Sequence, residues 1–129
     1  AVRWFRSVLE VEPQNVKALA NIARFFITED ETDSTIYYFE LASRADPTDA
    51  GILANLGSAY RQKGMTEEAG TAFESALKYE PDNTMALFGL AAVRAQEGRK
   101  EDAIGLLERI LKLDPTFEPA SRALQSLRS

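Results

Sequence analysis

Four prolines, Pro13, Pro47, Pro81 and Pro115, stand 34 positions apart with nothing inserted or lost between them. A fixed period of that length constrains the chain more than its composition does, because it requires one supersecondary unit, repeated and stacked. The unit is clearest over 50–83, AGILANLGSAYRQKGMTEEAGTAFESALKYEPDN. Leu53, Leu56, Gly57 and Tyr60 form one apolar face at helical spacing, and Ala69, Phe73 and Ala76 form a second. Gly64 separates the two faces and Pro81 follows them. Glycine supplies a tight turn and proline cannot continue a helix, so each period reads as a helical hairpin.

Set in this register, the faces align column by column. Leu19, Leu53 and Leu87 coincide, as do Ile22, Leu56 and Leu90, then Ala23, Gly57 and Ala91, then Phe26 and Tyr60. In the second half of the unit Ala1, Thr35, Ala69 and Ala103 share a column, followed by Phe5, Phe39, Phe73 and Leu107. Small residues fall where two helices must approach closely and large ones where a side chain fills the gap. The pattern resembles the tetratricopeptide repeat family over essentially the whole chain. That resemblance implies an all-α fold, a right-handed α-solenoid of helical hairpins. The expected organisation is a single domain over 1–129, with 1–15 as the second helix of a truncated repeat. Full repeats then occupy 16–49, 50–83 and 84–117, and 118–129 forms a C-terminal capping helix. Asn15, Asp49 and Asn83 stand one position ahead of the three first helices, where their side chains can cap free N–H groups.

Composition narrows the function. With 129 residues, 45% of them hydrophobic, the chain can bury a core, which a solenoid distributes among neighbouring repeats. The net charge of −5 is concentrated early: residues 16–49 hold 3 basic and 7 acidic side chains, residues 84–117 hold 5 of each. No basic stripe of the kind a phosphate backbone requires is present, so nucleic acid is not an expected partner. No run approaches the ~18 apolar residues of a membrane span, so direct membrane insertion is not expected either. The chain has neither histidine nor cysteine, which removes the commonest general base, the thiol nucleophile, disulfides and most zinc ligands. Lack of cysteine does not fix the compartment. Glu67 and Glu68 are adjacent at a helix start and cannot converge on a substrate, and the glycines occupy turn and packing columns rather than a phosphate loop. Neither catalysis nor a cofactor is expected. Glu29, Asp30, Glu31 and Asp33 cluster where the other repeats place Gly64 and Gly98, but acids at a helix start are favoured by its dipole, and no metal site is expected there.

Several local expectations follow. Val2, Phe5, Val8 and Leu9, with Trp4 beside them, form a helical face that lacks its neighbour, consistent with a fragment of a longer protein. That face is a candidate for pairing with another copy. Tyr37 is expected toward the outer surface and Tyr38 near a seam. Arg94, in the column of Phe26 and Tyr60, is expected to carry its head outward along its aliphatic stem. Gln125 and Arg128 occupy columns that a following hairpin would bury, which reads as a cap.

In tetratricopeptide arrays the first helices line a concave groove. Carried over by position, that implies contacts from Lys17, Ala20, Asn21, Arg24 and Thr28 in the first repeat and Ala54, Asn55, Ser58, Arg61 and Gln62 in the second. The third would contribute Met85, Phe88, Gly89, Ala92 and Gln96, and the last helix Arg122 and Ser126. Asn21 and Asn55 share a column, and some family members use stacked asparagines there to hold an extended peptide backbone. Gly89 ends that ladder. Lys17, Arg24 and Arg61 make the first half of the groove cationic, whereas Met85, Phe88 and Ala92 make the second apolar, so the expected ligand has acidic and hydrophobic portions. Ala20, Arg24, Phe88 and Gly89 stand where chaperone-tail receptors carry parts of their carboxylate clamp, which argues against a chaperone C-terminus. The expected function is a scaffold or adaptor binding a peptide segment of a partner protein. Two alternatives stand beside it: self-association through the N-terminal helix, and a non-catalytic targeting domain of a larger enzyme.

Overall fold

The computed structural model describes residues 16–29 and 31–129, and the described residues form seven α-helices and no strand. They are α1 (Val16–Thr28), α2 (Thr32–Ala45), α3 (Ala50–Gln62), α4 (Thr66–Tyr79), α5 (Thr84–Gln96), α6 (Lys100–Leu113) and α7 (Glu118–Arg128). The expected helix over 1–12, the cap at Asn15 and the turn residue Asp30 lie outside the described residues.

Each hairpin is closed by the same short turn. Gly64 and Gly98 adopt φ of 85° and 81°, left-handed values that a side chain disfavours, which is why glycine recurs there. The N–H three residues past the end of each first helix reaches back across the turn: Met65 to the Tyr60 carbonyl and Arg99 to the Arg94 carbonyl, both 2.8 Å, and Glu31 to the Phe26 carbonyl, 2.9 Å. Between hairpins, Asp46 accepts hydrogen bonds from the Thr48 N–H and hydroxyl, and Asp114 does the same for Thr116. These Asp-Pro-Thr turns hold the chain while proline blocks continuation of the preceding helix. The next helix then starts on a side-chain cap: Asp49 accepts from the Ile52 N–H at 3.1 Å and Asn83 from the Ala86 N–H at 2.9 Å. Phe117 stands in that column before α7 and makes no such bond, but Pro119 just inside the helix needs no N–H partner.

Consecutive helices pack against one another, and α3 also touches α5 directly. The interior consists of three clusters, each spanning one hairpin and the first helix of the next. Phe39 centres the first, with Leu19 and Ala23 of α1 and Ile52 and Leu56 of α3. Phe73 centres the second, with Leu53 of α3 and Leu90 and Val93 of α5. Leu107 and Ile110 join Leu87 of α5 to Ala120 and Leu124 of α7 in the third. A first helix therefore has two apolar faces, one toward its own partner and one toward the preceding hairpin. In α7 only the second face is apolar: Ser121 and Gln125 are exposed, in columns where Leu87 and Ala91 are buried.

Tyr37 is exposed, and Tyr38 packs at the seam, stacked on Phe26 at 5.6 Å, as the sequence suggests. Two other expectations need correction. Arg94 does not carry its head to water; its side chain is 14% exposed and its guanidinium is held by Glu74 at 2.5 Å and Glu97 at 2.9 Å. Burial by itself would lower its affinity for the proton, but the hydrogen bonds it donates to Glu97 and Glu74 outweigh that and raise its pKa. Arg128 occupies the Arg94 column and likewise reaches back to the preceding hairpin, pairing with Glu108 at 2.7 Å, so it is no sign of a cap. The polar character of α7's outer side resides in Ser121 and Gln125 instead.

Candidate binding cleft

The first helices α1, α3 and α5 share one side of the molecule, and an open cleft of about 760 Å³ lies along them. Its polar wall is α3, which contributes Asn55, Ser58, Arg61 and Gln62. Across from it α5 contributes Thr84, Met85, Phe88 and Gly89. Ile27 from the end of α1 and Phe117 from the α6–α7 connection complete the lining.

Seven of the residues expected from sequence thus come together: Asn55, Ser58, Arg61, Gln62, Met85, Phe88 and Gly89. The others do not line the cleft. Lys17, Asn21 and Arg24 sit further back along α1, where the Arg24 guanidinium donates to the Asn21 side-chain oxygen at 3.3 Å. Ala92 is half-buried further along α5, and Arg122 is exposed on α7, paired with Glu118 at 2.9 Å. Ala20 and Ala54, expected as groove contacts, are core residues, 4% and 0% exposed. They pack in the clusters of their own hairpins, Ala20 beside Leu19 and Ala54 beside Leu53.

Gly89 is the floor of the cleft, and its lack of a side chain has a cause. The Phe73 ring lies directly behind it: a Cβ at position 89 would stand 2.2 Å from Phe73 Cζ, and one at Gly57 would stand 2.7 Å from Phe73 Cε1. The ring is wedged between two glycines of adjacent first helices, so the asparagine column cannot continue onto α5. Of the two rungs that exist, Asn55 donates one of its amide N–H groups to the Gly51 carbonyl of its own helix at 2.9 Å.

Sequence reasoning missed Ile27, Thr84 and Phe117. A signal for Phe117 was available, since it interrupts a column otherwise filled by Asn15, Asp49 and Asn83. Its ring meets Phe88 edge to face at 5.8 Å and 82°, which orients both rings at the apolar end of the cleft. Ile27 and Met85 are 46% and 50% exposed, among the most exposed large apolar side chains of the described residues.

Charge is sorted between the two sides of the hairpins. The α1, α3 and α5 segments contain no Asp or Glu, although the chain has 20 such residues, whereas α2, α4 and α6 all contain them. None of the ion pairs among the described residues uses Lys17, Arg24 or Arg61. A smaller hollow of about 480 Å³ lies between α3 and α4, bordered by Glu67, Glu68 and Tyr60. The Tyr60 hydroxyl donates to Glu40 at 2.6 Å, and burial together with that carboxylate pushes its pKa well above the ordinary tyrosine range.

A sequence profile described as Tetratricopeptide repeat matches residues 54–116. Comparison with curated protein sequences finds no match. Among solved structures, MamA superposes with a TM-score of 0.92 at 22% identity, over 98% of this chain and 74% of that one. The first tetratricopeptide domain of Spaghetti (RPAP3), solved with an HSP90 peptide, superposes with a TM-score of 0.85 at 23% identity, covering 89% of this chain and 94% of that one. YrrB, described as having an unusual peptide-binding site, gives 0.84 at 17% identity, over 94% and 62%. At these identities the likeness establishes the fold, an α-solenoid. The profile identifies residues 54–116 as tetratricopeptide repeats, and the unbroken 34-residue period and stacked hairpins extend the same architecture through the rest of the described residues.

Proposed function

We propose that this chain is a non-catalytic interaction module that holds a segment of a partner polypeptide in the cleft along α1, α3 and α5. The observation that carries the reading is the lining itself: amide and hydroxyl groups of α3 share an open trough with the exposed Met85 and half-buried Phe88 of α5. Such a mixture suits a peptide, whose side chains need apolar seats while its polar groups need a few fixed partners. Met85 and Phe88 are the anchors, since seating a ligand against side chains of this size contributes about 1.5–3 kcal/mol each. Two of the similar structures support the class of ligand, RPAP3 with its HSP90 peptide and YrrB with its peptide-binding site.

The test is an affinity capture from the source cell, read by mass spectrometry, with the wild-type chain beside an Asn55→Ala/Met85→Ala variant. Both changes lie outside the core clusters, so circular dichroism should stay the same. A partner retained by the wild type and lost by the variant supports the cleft. Equal capture by both removes the cleft from the reading.

A further inference from the structure

The lining of the cleft distinguishes between the two forms a bound segment can take. An extended segment exposes an N–H or C=O at every residue, about 3.3 Å apart, and each needs a partner once water is excluded. The cleft is poorly equipped for this. Its asparagine column stops at Gly89 because Phe73 fills the space behind, and one of the two Asn55 amide N–H groups is engaged with Gly51. The other side-chain hydrogen-bonding groups lie mainly along one wall, on α3. A helix satisfies its own main chain and asks only for side-chain contacts. Those the cleft offers in quantity: Ile27, Met85 and the Phe88–Phe117 pair project from three separate elements onto one trough. Beside them stand Arg61 and, further along α1, Arg24 and Lys17, on helices that contain no carboxylate and outside every ion pair of the described residues.

We infer that the occupant is an amphipathic helix of the partner, with an apolar stripe seated on Met85, Phe88, Phe117 and Ile27 and carboxylates flanking it toward Arg61 and α1. The inference rests on the cleft being the binding site, as proposed above. Seated in this way, the partner helix brings its acidic edge against the cationic side of a chain whose net charge is −5, so the pairing is local and weakens with salt.

A displayed library of random peptides of about 16 residues, long enough for four helical turns, tests this. It is selected in parallel on the wild-type protein and on a Met85→Glu/Arg61→Glu variant, both exposed sites, with far-UV circular dichroism confirming that the variant is folded. The expected winners on the wild type carry apolar residues at helical spacing with an excess of Asp and Glu, and they fail on the variant. A synthetic winner should lose roughly tenfold or more in affinity when a central residue becomes proline. Winners that fail on the variant but alternate with period two, tolerate the proline or are basic overturn the helix and leave the cleft standing. Winners that bind both proteins equally overturn the cleft, and a selection that enriches nothing overturns both.

Discussion

The junction between the first and second hairpins and the junction between the second and third use the same columns but different residues. At each, a glutamate of the second helix reaches a donor 20 positions on, in the next first helix: Glu40 receives Tyr60 at 2.6 Å, and Glu74 receives Arg94 at 2.5 Å. The residues around the two bonds change together. Where the donor is Tyr60, position 36 is isoleucine. Where it is Arg94, the matching position is Gly70, and a Cβ there would already touch Val93 Cγ1 at 3.4 Å and the guanidinium at 3.9 Å, so the further carbons of an isoleucine would compete with both for space. The central ring changes company in the same way: Phe39 packs beside Ala23, while Phe73 is pressed between Gly57 and Gly89. The period fixes where hairpins meet, and compensating choices of size and charge decide how tightly. The second junction is the closer and more polar of the two, and it underlies the floor of the cleft.

The sharpest way to break the comparison is at the asparagine column. Gly89→Ala drives a methyl into Phe73, which has nowhere to retreat because Gly57 backs its other side, and overpacking of this kind costs typically 1–3 kcal/mol. The helix-propensity gain of alanine over glycine offsets part of that, leaving about 2 kcal/mol of destabilisation. Asn55→Ala, in the same column at the first junction, should stay within about 0.5 kcal/mol of wild type. Urea unfolding of both variants measures the contrast, and a Phe73→Leu change should rescue Gly89→Ala but not wild type. Equal effects at positions 55 and 89 would mean that the two junctions are packed alike.

Next in size is Arg94→Ala. It removes a mostly buried guanidinium from two carboxylates, and hydrogen bonds between charged groups are worth about 1.5–3 kcal/mol. Glu74 and Glu97 are themselves 56% and 36% exposed and can rehydrate, which places the expected loss near the lower end, about 1.5 kcal/mol. Arg94→Ala/Gly70→Ile tests whether the two positions are coupled. If room for the guanidinium is the reason for Gly70, the isoleucine is tolerated better without Arg94 than with it, a non-additivity that a double-mutant cycle reads directly.

These two residues also mark where sequence reasoning stops. The hairpins, their turns and the capping side chains were legible because each depends on residues a few positions apart and recurs every 34. Asn55, Ser58, Arg61 and Gln62 were legible as a wall because they share one face of one helix. The burial of Arg94 was not, since its partner Glu74 lies 20 positions earlier on another helix, beyond the reach of helical periodicity. Ile27 and Phe117 were missed for a related reason: they reach the cleft from an element's end and from a connection, where helical periodicity carries no information. Ala20 and Ala54 failed in the opposite direction: they lie in the clusters of their own hairpins beside Leu19 and Leu53, so the buried stripe of a first helix is wider than the groove columns allowed for.

Tyr60→Phe should cost about 1 kcal/mol at neutral pH, the value of one hydrogen bond to a carboxylate in a partly buried setting. Its pH signature is more specific. The folded protein raises the Tyr60 pKa above the ordinary value of 10.0, so the native state holds that proton more tightly than the unfolded chain. Stability contributed by this group is therefore present in full below pH 10 and falls as pH rises beyond it, while the unfolded chain ionises first. The wild type should lose stability above pH 10 more steeply than Tyr60→Phe, and the two curves should converge. Parallel curves would show that the Glu40 contact does not hold the hydroxyl proton.

The smallest expected contrast is at the caps. Asp49 and Asn83 each receive one N–H at the start of a first helix, at 3.1 and 2.9 Å, so replacing either by alanine should cost about 0.5–1 kcal/mol. A carboxylate interacts more favourably with a helix N-terminus than an amide does, but by only about 0.3–1 kcal/mol and less in salt. Thermal unfolding of Asp49→Ala and Asn83→Ala at low and at high ionic strength separates the two contributions. Near-equal losses at high salt, with Asp49→Ala slightly worse at low salt, would confine the difference between the junctions to their interiors. A large inequality that persists in salt would instead place part of that difference in the connections that deliver each first helix to the stack.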